Sequence, residues 1–211
     1  MTKSKITWIV LSLLYLLFFG WYTSFDGPLT AEEVEEALAQ FEGQEGRDPE
    51  MMKILRDFLE SDTGDDFVML NVIDLYETPL QVEGVVAGET SQQVLAKYME
   101  YMTPALFARA CHPVFYGAAA GLAMEMFGVE GIRSWTVGAG MRYRSRRDLV
   151  EIASNPAFQG AHEFKIASMR KTFAFPVDPW FHLGDPRFVL ALFFLIIGLT
   201  TSLLGARAKL A

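Results

Sequence analysis

Two uncharged apolar runs stand near the two ends of this chain, and each is long enough to cross a bilayer as a helix. The first, residues 6–25, reads ITWIVLSLLYLLFFGWYTSF; the second, residues 188–206, reads FVLALFFLIIGLTTSLLGA. A helix rises about 1.5 Å per residue, so about 20 residues cover a hydrocarbon core of about 30 Å. Trp8, Trp21 and Tyr22 mark the ends of the first run, and Trp180, Phe181 and His182 precede the second. Aromatic rings of this kind favour the membrane–water interface. A cleaved signal peptide is the rival for the first run, because Lys3 and Lys5 make a basic start. The run ends in Gly20-Trp21-Tyr22-Thr23-Ser24 without a small-x-small cleavage site, so an uncleaved anchor is expected. The small residues between Gly198 and Gly205 suit helix packing, although that stretch contains no GxxxG.

The flanking charges give an orientation. Lys3 and Lys5 precede the first run, and Arg207 and Lys209 follow the second. The positive-inside rule then puts both termini in the cytoplasm and the central domain in the periplasm or outside the cell. The expected partners are the lipid bilayer and either a second copy or another membrane protein. A chain with 26 acidic against 18 basic residues, net −8, is not built to bind nucleic acid. Its single cysteine, Cys111, forms no internal disulfide, and no Cys/His cluster offers a zinc site. No metal and no cofactor are expected.

Residues 27–62 read as a helical pair. Thr30 and Glu33 have capping-box spacing, and Val34, Leu38 and Phe41 recur at helical period. Gly43 to Gly46 breaks the pattern, and Asp48-Pro49 restarts it. Glu32, Glu33, Glu35 and Glu36 read as a solvated helix face near a positive dipole end rather than as metal ligands. From Phe67 the pattern changes to a strand, FVMLNVIDL, apolar on both faces. A helix over 91–109 follows, which Pro104 should kink or end. Strands are then expected at 112–118, 135–143 and 172–177, with helices over 148–153 and from Asn155-Pro156 to about Arg170. The order over 66–177 is β-α-β-β-α-β, a ferredoxin-like α+β arrangement.

Several residues in that stretch carry a resemblance. Asn71 follows the aliphatic strand, Tyr143 and Ser145 form a strand-to-helix corner, and Asn155-Pro156-Ala157-Phe158 is followed by His162. In these blocks residues 66–177 resemble the family of small domains of unknown function numbered thirteen-thirty, in the dimeric α/β-barrel superfamily. Arg144 stands where that pattern usually has proline, and Glu163 where it has a basic residue. The resemblance implies a homodimer whose open sheet face looks into a cavity or across the dimer interface. It also implies a kinship with small cofactor-independent monooxygenases and isomerases.

Alternation along the first strand suggests that Val68, Leu70 and Val72 pack under the helices, with Phe67, Met69, Asn71 and Ile73 facing away. On the third strand Val137, Ala139, Met141 and Tyr143 make the apolar face, leaving Gly138, Gly140 and Arg142 opposite. Asn71 and Arg142 are then expected side by side, with the glycines leaving room for a ligand. Arg142 would hold an anion and Asn71 would orient it, with Tyr143 and His162 as further candidate ligand-binding residues. The bland alternative is that Arg142 pairs with an acid and the glycines let two sheets approach. The run Arg142, Arg144, Arg146, Arg147 raises a phosphate or lipid-headgroup site, against simple compensation by Asp148 and Glu151. Cys111 reads as a small buried apolar residue, and no catalytic fingerprint is present. Two function classes stay open. One is a non-catalytic module that binds a ligand or partner, or scaffolds a membrane complex. The other is a small cofactor-independent enzyme using a pocket on the sheet face.

Overall fold

The computed structural model describes residues 2–42, 48–128, 130–179 and 182–208. The chain forms two compact units, one from residues 1–24 with 179–211 and one from residues 25–178. The expected helix break at 43–46, the boundary residues Trp180 and Phe181, and Lys209 lie outside the described residues.

The terminal unit holds α1 (Lys3–Tyr22) and α7 (Pro186–Arg207), both long and apolar enough to cross a membrane. Thr2 caps α1, and Asp185 followed by Pro186 starts α7. The helices are antiparallel. Ser4 and Ser202 share a 2.7 Å hydroxyl bond, and the Trp8 indole N–H donates to Ser202 Oγ at 3.1 Å. At the other end the Arg187 guanidinium lies 5.3 Å from the centre of the Tyr22 ring. Gly198 lets the helices approach, since a Cβ there would come within 2.5 Å of the Trp8 ring. Away from this seam Leu13, Leu16, Leu17, Phe193, Ile196 and Leu203 are exposed.

In the central unit, α2 (Ala31–Phe41) and α3 (Pro49–Glu60) precede β1 (Phe67–Leu75) and α4 (Ser91–Ala108). Then come β2 (His112–Ala118), β3 (Val137–Tyr143), α5 (Arg146–Ser154), α6 (Pro156–Ser168) and β4 (Met169–Val177). The four strands form one antiparallel sheet in the order β2-β3-β1-β4. The capping box at Thr30 and Glu33 forms, and a second one joins Thr90 and Gln93 at the start of α4. Pro104 does not end α4, which runs on to Ala108. The proline sits on an exposed side of the helix, where a carbonyl that loses its amide partner can turn to water.

The main core joins Phe67, Tyr98, Met102, Leu106, Cys111, Tyr143 and Ile152, with Met69 and Met141 packed against it. Phe67 and Met69 therefore face the helices, and Val68, Leu70 and Val72 face away, the reverse of the expectation for β1. A strand apolar on both faces carries no alternation to read. The outcome is decided by Phe67, whose ring stacks on Tyr143 at 5.3 Å and meets Phe58 edge-on. On β3, Val137, Met141 and Tyr143 face the helices as the alternation suggested. A second cluster (Val34, Ala37, Leu38, Phe41 and Leu59) takes in Val150 of α5, which packs the helical pair onto the sheet-bearing part of the same unit.

Candidate functional site

Strand register separates the residues that the sequence nominated. Phe67 lies opposite Tyr143, Val68 opposite Arg142, Leu70 opposite Gly140 and Asn71 opposite Ala139. Directly opposed residues share a face, so Asn71 is on the helix side and Arg142 on the other. The expected Asn71–Arg142 pair does not form. The Asn71 amide donates to Met69 O at 3.0 Å. His162 is half-buried, stacked 5.2 Å from Phe158 and edge-on to Tyr98 at 6.4 Å. Tyr143 is buried, and burial pushes its phenol well above the usual range.

Arg142 is nearly inaccessible. Its Nε donates to Asp66 Oδ2 at 2.7 Å and its Nη1 to Ala110 O at 2.8 Å. The other three arginines of the run are engaged as well. Arg144 forms a bidentate pair with Asp148 at 2.8 and 2.9 Å. Arg146 stacks 4.3 Å above Phe58, approaches Asp62 at 3.3 Å and donates to Ser61 Oγ at 2.9 Å. Arg147 grips Glu33 through two 2.8 Å bonds and reaches Gly27 O at 2.6 Å and Pro28 O at 2.9 Å. Its guanidinium holds the Glu33 carboxyl down to about 2. Glu151 pairs with Arg109 at 2.9 Å. The run is thus a set of clamps fastening α2 and α3 and the loop before β1 to α5 and β3, rather than a free cationic patch. Asp62, Asp66 and Glu33 lie 76–114 residues from their arginines, and local spacing gave no sign of them.

Cys111 is wholly buried, and burial pushes its thiol up to about 11. A thiol in that state is no nucleophile near neutral pH. Among the described residues, no group of three or more His, Cys, Asp or Glu is placed to hold a metal ion.

Among the described residues, two features are open to a ligand or partner. The first is the sheet face away from the helices. Leu70 lies opposite Phe175 and Val72 opposite Phe173. Phe173, Phe175 and Phe115 are 44%, 46% and 50% exposed. The space left by Gly138 and Gly140 is taken by the Phe115 ring. The second is a cleft of about 180 Å³ on the helix side, lined by Met99, Thr103, Leu106 and Phe107 of α4, Pro113 and Tyr116 of β2, and Met141 of β3. Sequence reasoning missed this cleft, although a proline inside a strand pattern is a signal of a bulge or edge.

No family model and no curated protein matches the chain. A protein of unknown function from Rhodopseudomonas palustris, solved twice, is similar in structure. Its methylated form has a TM-score of 0.53 at 18% identity, covering 68% of this chain and 98% of that one. The other form gives 0.51 at 17% identity, covering 62% and 94%. A cofactor-independent oxygenase from Streptomyces nogalater has a TM-score of 0.33 at 10% identity, covering 57% of this chain and 99% of that one. At that level its chemistry does not transfer. The likeness to the Rhodopseudomonas palustris protein concerns fold alone: the chain carries an α+β unit with a four-stranded antiparallel sheet.

Proposed function

We propose that this protein is a membrane-anchored binding module whose central domain pairs with a second copy through the open face of its sheet. The observation that carries this reading is the exposure of Phe115, Phe173 and Phe175 beside Leu70 and Val72 on one face. Contiguous apolar surface of this kind marks an interaction site, and a face shared by identical chains closes with two-fold symmetry. The helices α1 and α7 are the proposed spans, with residues 27–62 and 66–177 as the extracytoplasmic portion. Their antiparallel seam supports both termini lying on one side, and Lys3, Lys5 and Arg207 support that side being the cytoplasm.

Binding is favoured over catalysis by the state of the polar residues. Arg142 is spent on Asp66 and Ala110 O, Tyr143 is buried in the core, and His162 is packed between rings. A general acid or base has to reach a reacting atom, and these groups face three different surroundings.

Crosslinking tests the pairing. In a Cys111→Ala background, Phe175→Cys in the full chain should give a covalent dimer with a short bifunctional maleimide. Gln92→Cys, on exposed α4, should not. Absence of the Phe175→Cys dimer, or equal yields at the two positions, contradicts the reading.

A further inference from the structure

The helix-side cleft is produced by an irregularity in β2. His112 and Pro113 lie opposite Arg142 and Met141, but the register then shifts, and Phe115 and Tyr116 lie opposite Gly140 and Ala139. Val114 is the extra residue of a β-bulge. In a regular strand, same-face neighbours are two residues apart; here Pro113 and Tyr116 share the helix face three apart. The widened interval leaves a gap above Met141, walled by Met99, Thr103 and Phe107. Bulges recur beside functional sites because they re-aim side chains and open spacing.

The lining states what the gap could hold. None of the residues around it is charged, and its walls are almost wholly apolar, the Thr103 and Tyr116 hydroxyls contributing next to no surface. An ion would lose its hydration there without a countercharge. An apolar cavity of about 150 Å³ takes up benzene, so a cleft of about 180 Å³ has room for one substituted ring. Met99 and Met141 are adaptable walls for such a ring, since thioethers pack well against aromatic edges. We infer that this bulge-built cleft is a binding site for a small, uncharged, single-ring molecule. The site lies on the opposite side of the sheet from the face proposed to pair two copies, and it stands or falls independently of that pairing.

The test uses the full chain in lipid nanodiscs with methyl-labelled methionine, the Met99 and Met141 resonances being assigned by Met→Leu variants. Titration with p-cresol should shift those two methyl signals saturably. Benzoate, of similar size but charged, should bind roughly tenfold more weakly or not at all. Thr103→Trp, at the exposed rim, should fill the cleft and abolish the shifts while the remaining methyl spectrum stays unchanged; Met99→Phe is a second filling variant. Shifts that rise linearly without saturating, that persist in both filled variants, or that benzoate reproduces equally would overturn the assignment. The crosslinked dimer yield of the previous section should not change in any of these variants.

Discussion

The ring of Phe115 lies over Gly140 on the neighbouring strand, close enough that a Cβ on residue 140 would come within 2.5 Å of it. The bulge in β2 seats Phe115 there, directly opposite Gly140. The glycine thus serves a side chain of its own sheet. Gly140→Ala should push Phe115 aside at a cost of about 1 kcal/mol. It should also lower self-association, because the displaced ring belongs to the open face. A melting curve and a dimer titration of the same variant check both effects; an unchanged dimer with a lowered melting point would confine Phe115 to a packing role.

Arg147 and Glu33 fasten the start of α2 to α5, and they give a stability term with a defined pH dependence. The Glu33 carboxyl falls from an ordinary 4.5 to about 2, held first by Arg147 and then by the Thr30 amide and hydroxyl. A carboxyl whose folded value is depressed contributes stability above its unfolded value and loses it as pH drops through the folded one. Glu33→Gln should therefore be less stable than the native chain at pH 7, with the gap closing between pH 4.5 and pH 2. A gap that is constant with pH would show that the carboxylate charge is not what Arg147 uses.

Arg142 and Asp66 form a nearly inaccessible pair, with the Arg142 side chain 4% and the Asp66 side chain 20% exposed. Arg142→Met would remove the guanidinium from the Asp66 carboxylate and from Ala110 O. Breaking such a pair costs about 3 kcal/mol, readable in a chemical denaturation curve. A loss near zero would mean that the guanidinium holds neither the loop before β1 nor the turn before β2 in place.

Trp8 packs into the notch at Gly198, and its indole N–H reaches Ser202. Gly198→Leu should separate α1 from α7. Bifunctional crosslinking between cysteines placed at Ser4 and Ser202 in a Cys111→Ala background reports this directly. The native sequence at 198 should give an intramolecular product, and the leucine variant should lose most of it.

Much of this architecture was legible because amphipathic period and caps are local. The Thr30 box, the Asp48-Pro49 start, the Ser145 cap and the β-α-β-β-α-β order all follow from residues a few positions apart. The face of β1 was not legible. Its two rows, Val68-Leu70-Val72 and Phe67-Met69-Asn71-Ile73, are apolar but for Asn71, and the docking of Phe67 against Tyr143 and Phe58 chooses between them. That one reversal undid the expected Asn71–Arg142 site, since a strand turned over moves every side chain to the other face. The arginine run was visible, but most of the acids that neutralise it come from distant segments that no local pattern connects. The cleft depends on one extra residue, Val114, whose effect exists only once β2 is paired with β3.

The most direct test of the proposed pairing is the native mass of the full chain released from detergent, compared with that of Phe173→Asp/Phe175→Asp. The account predicts twice the chain mass for the native protein and a folded single chain for the variant. A single chain in both, or a dimer that survives two carboxylates on the open face, would contradict it.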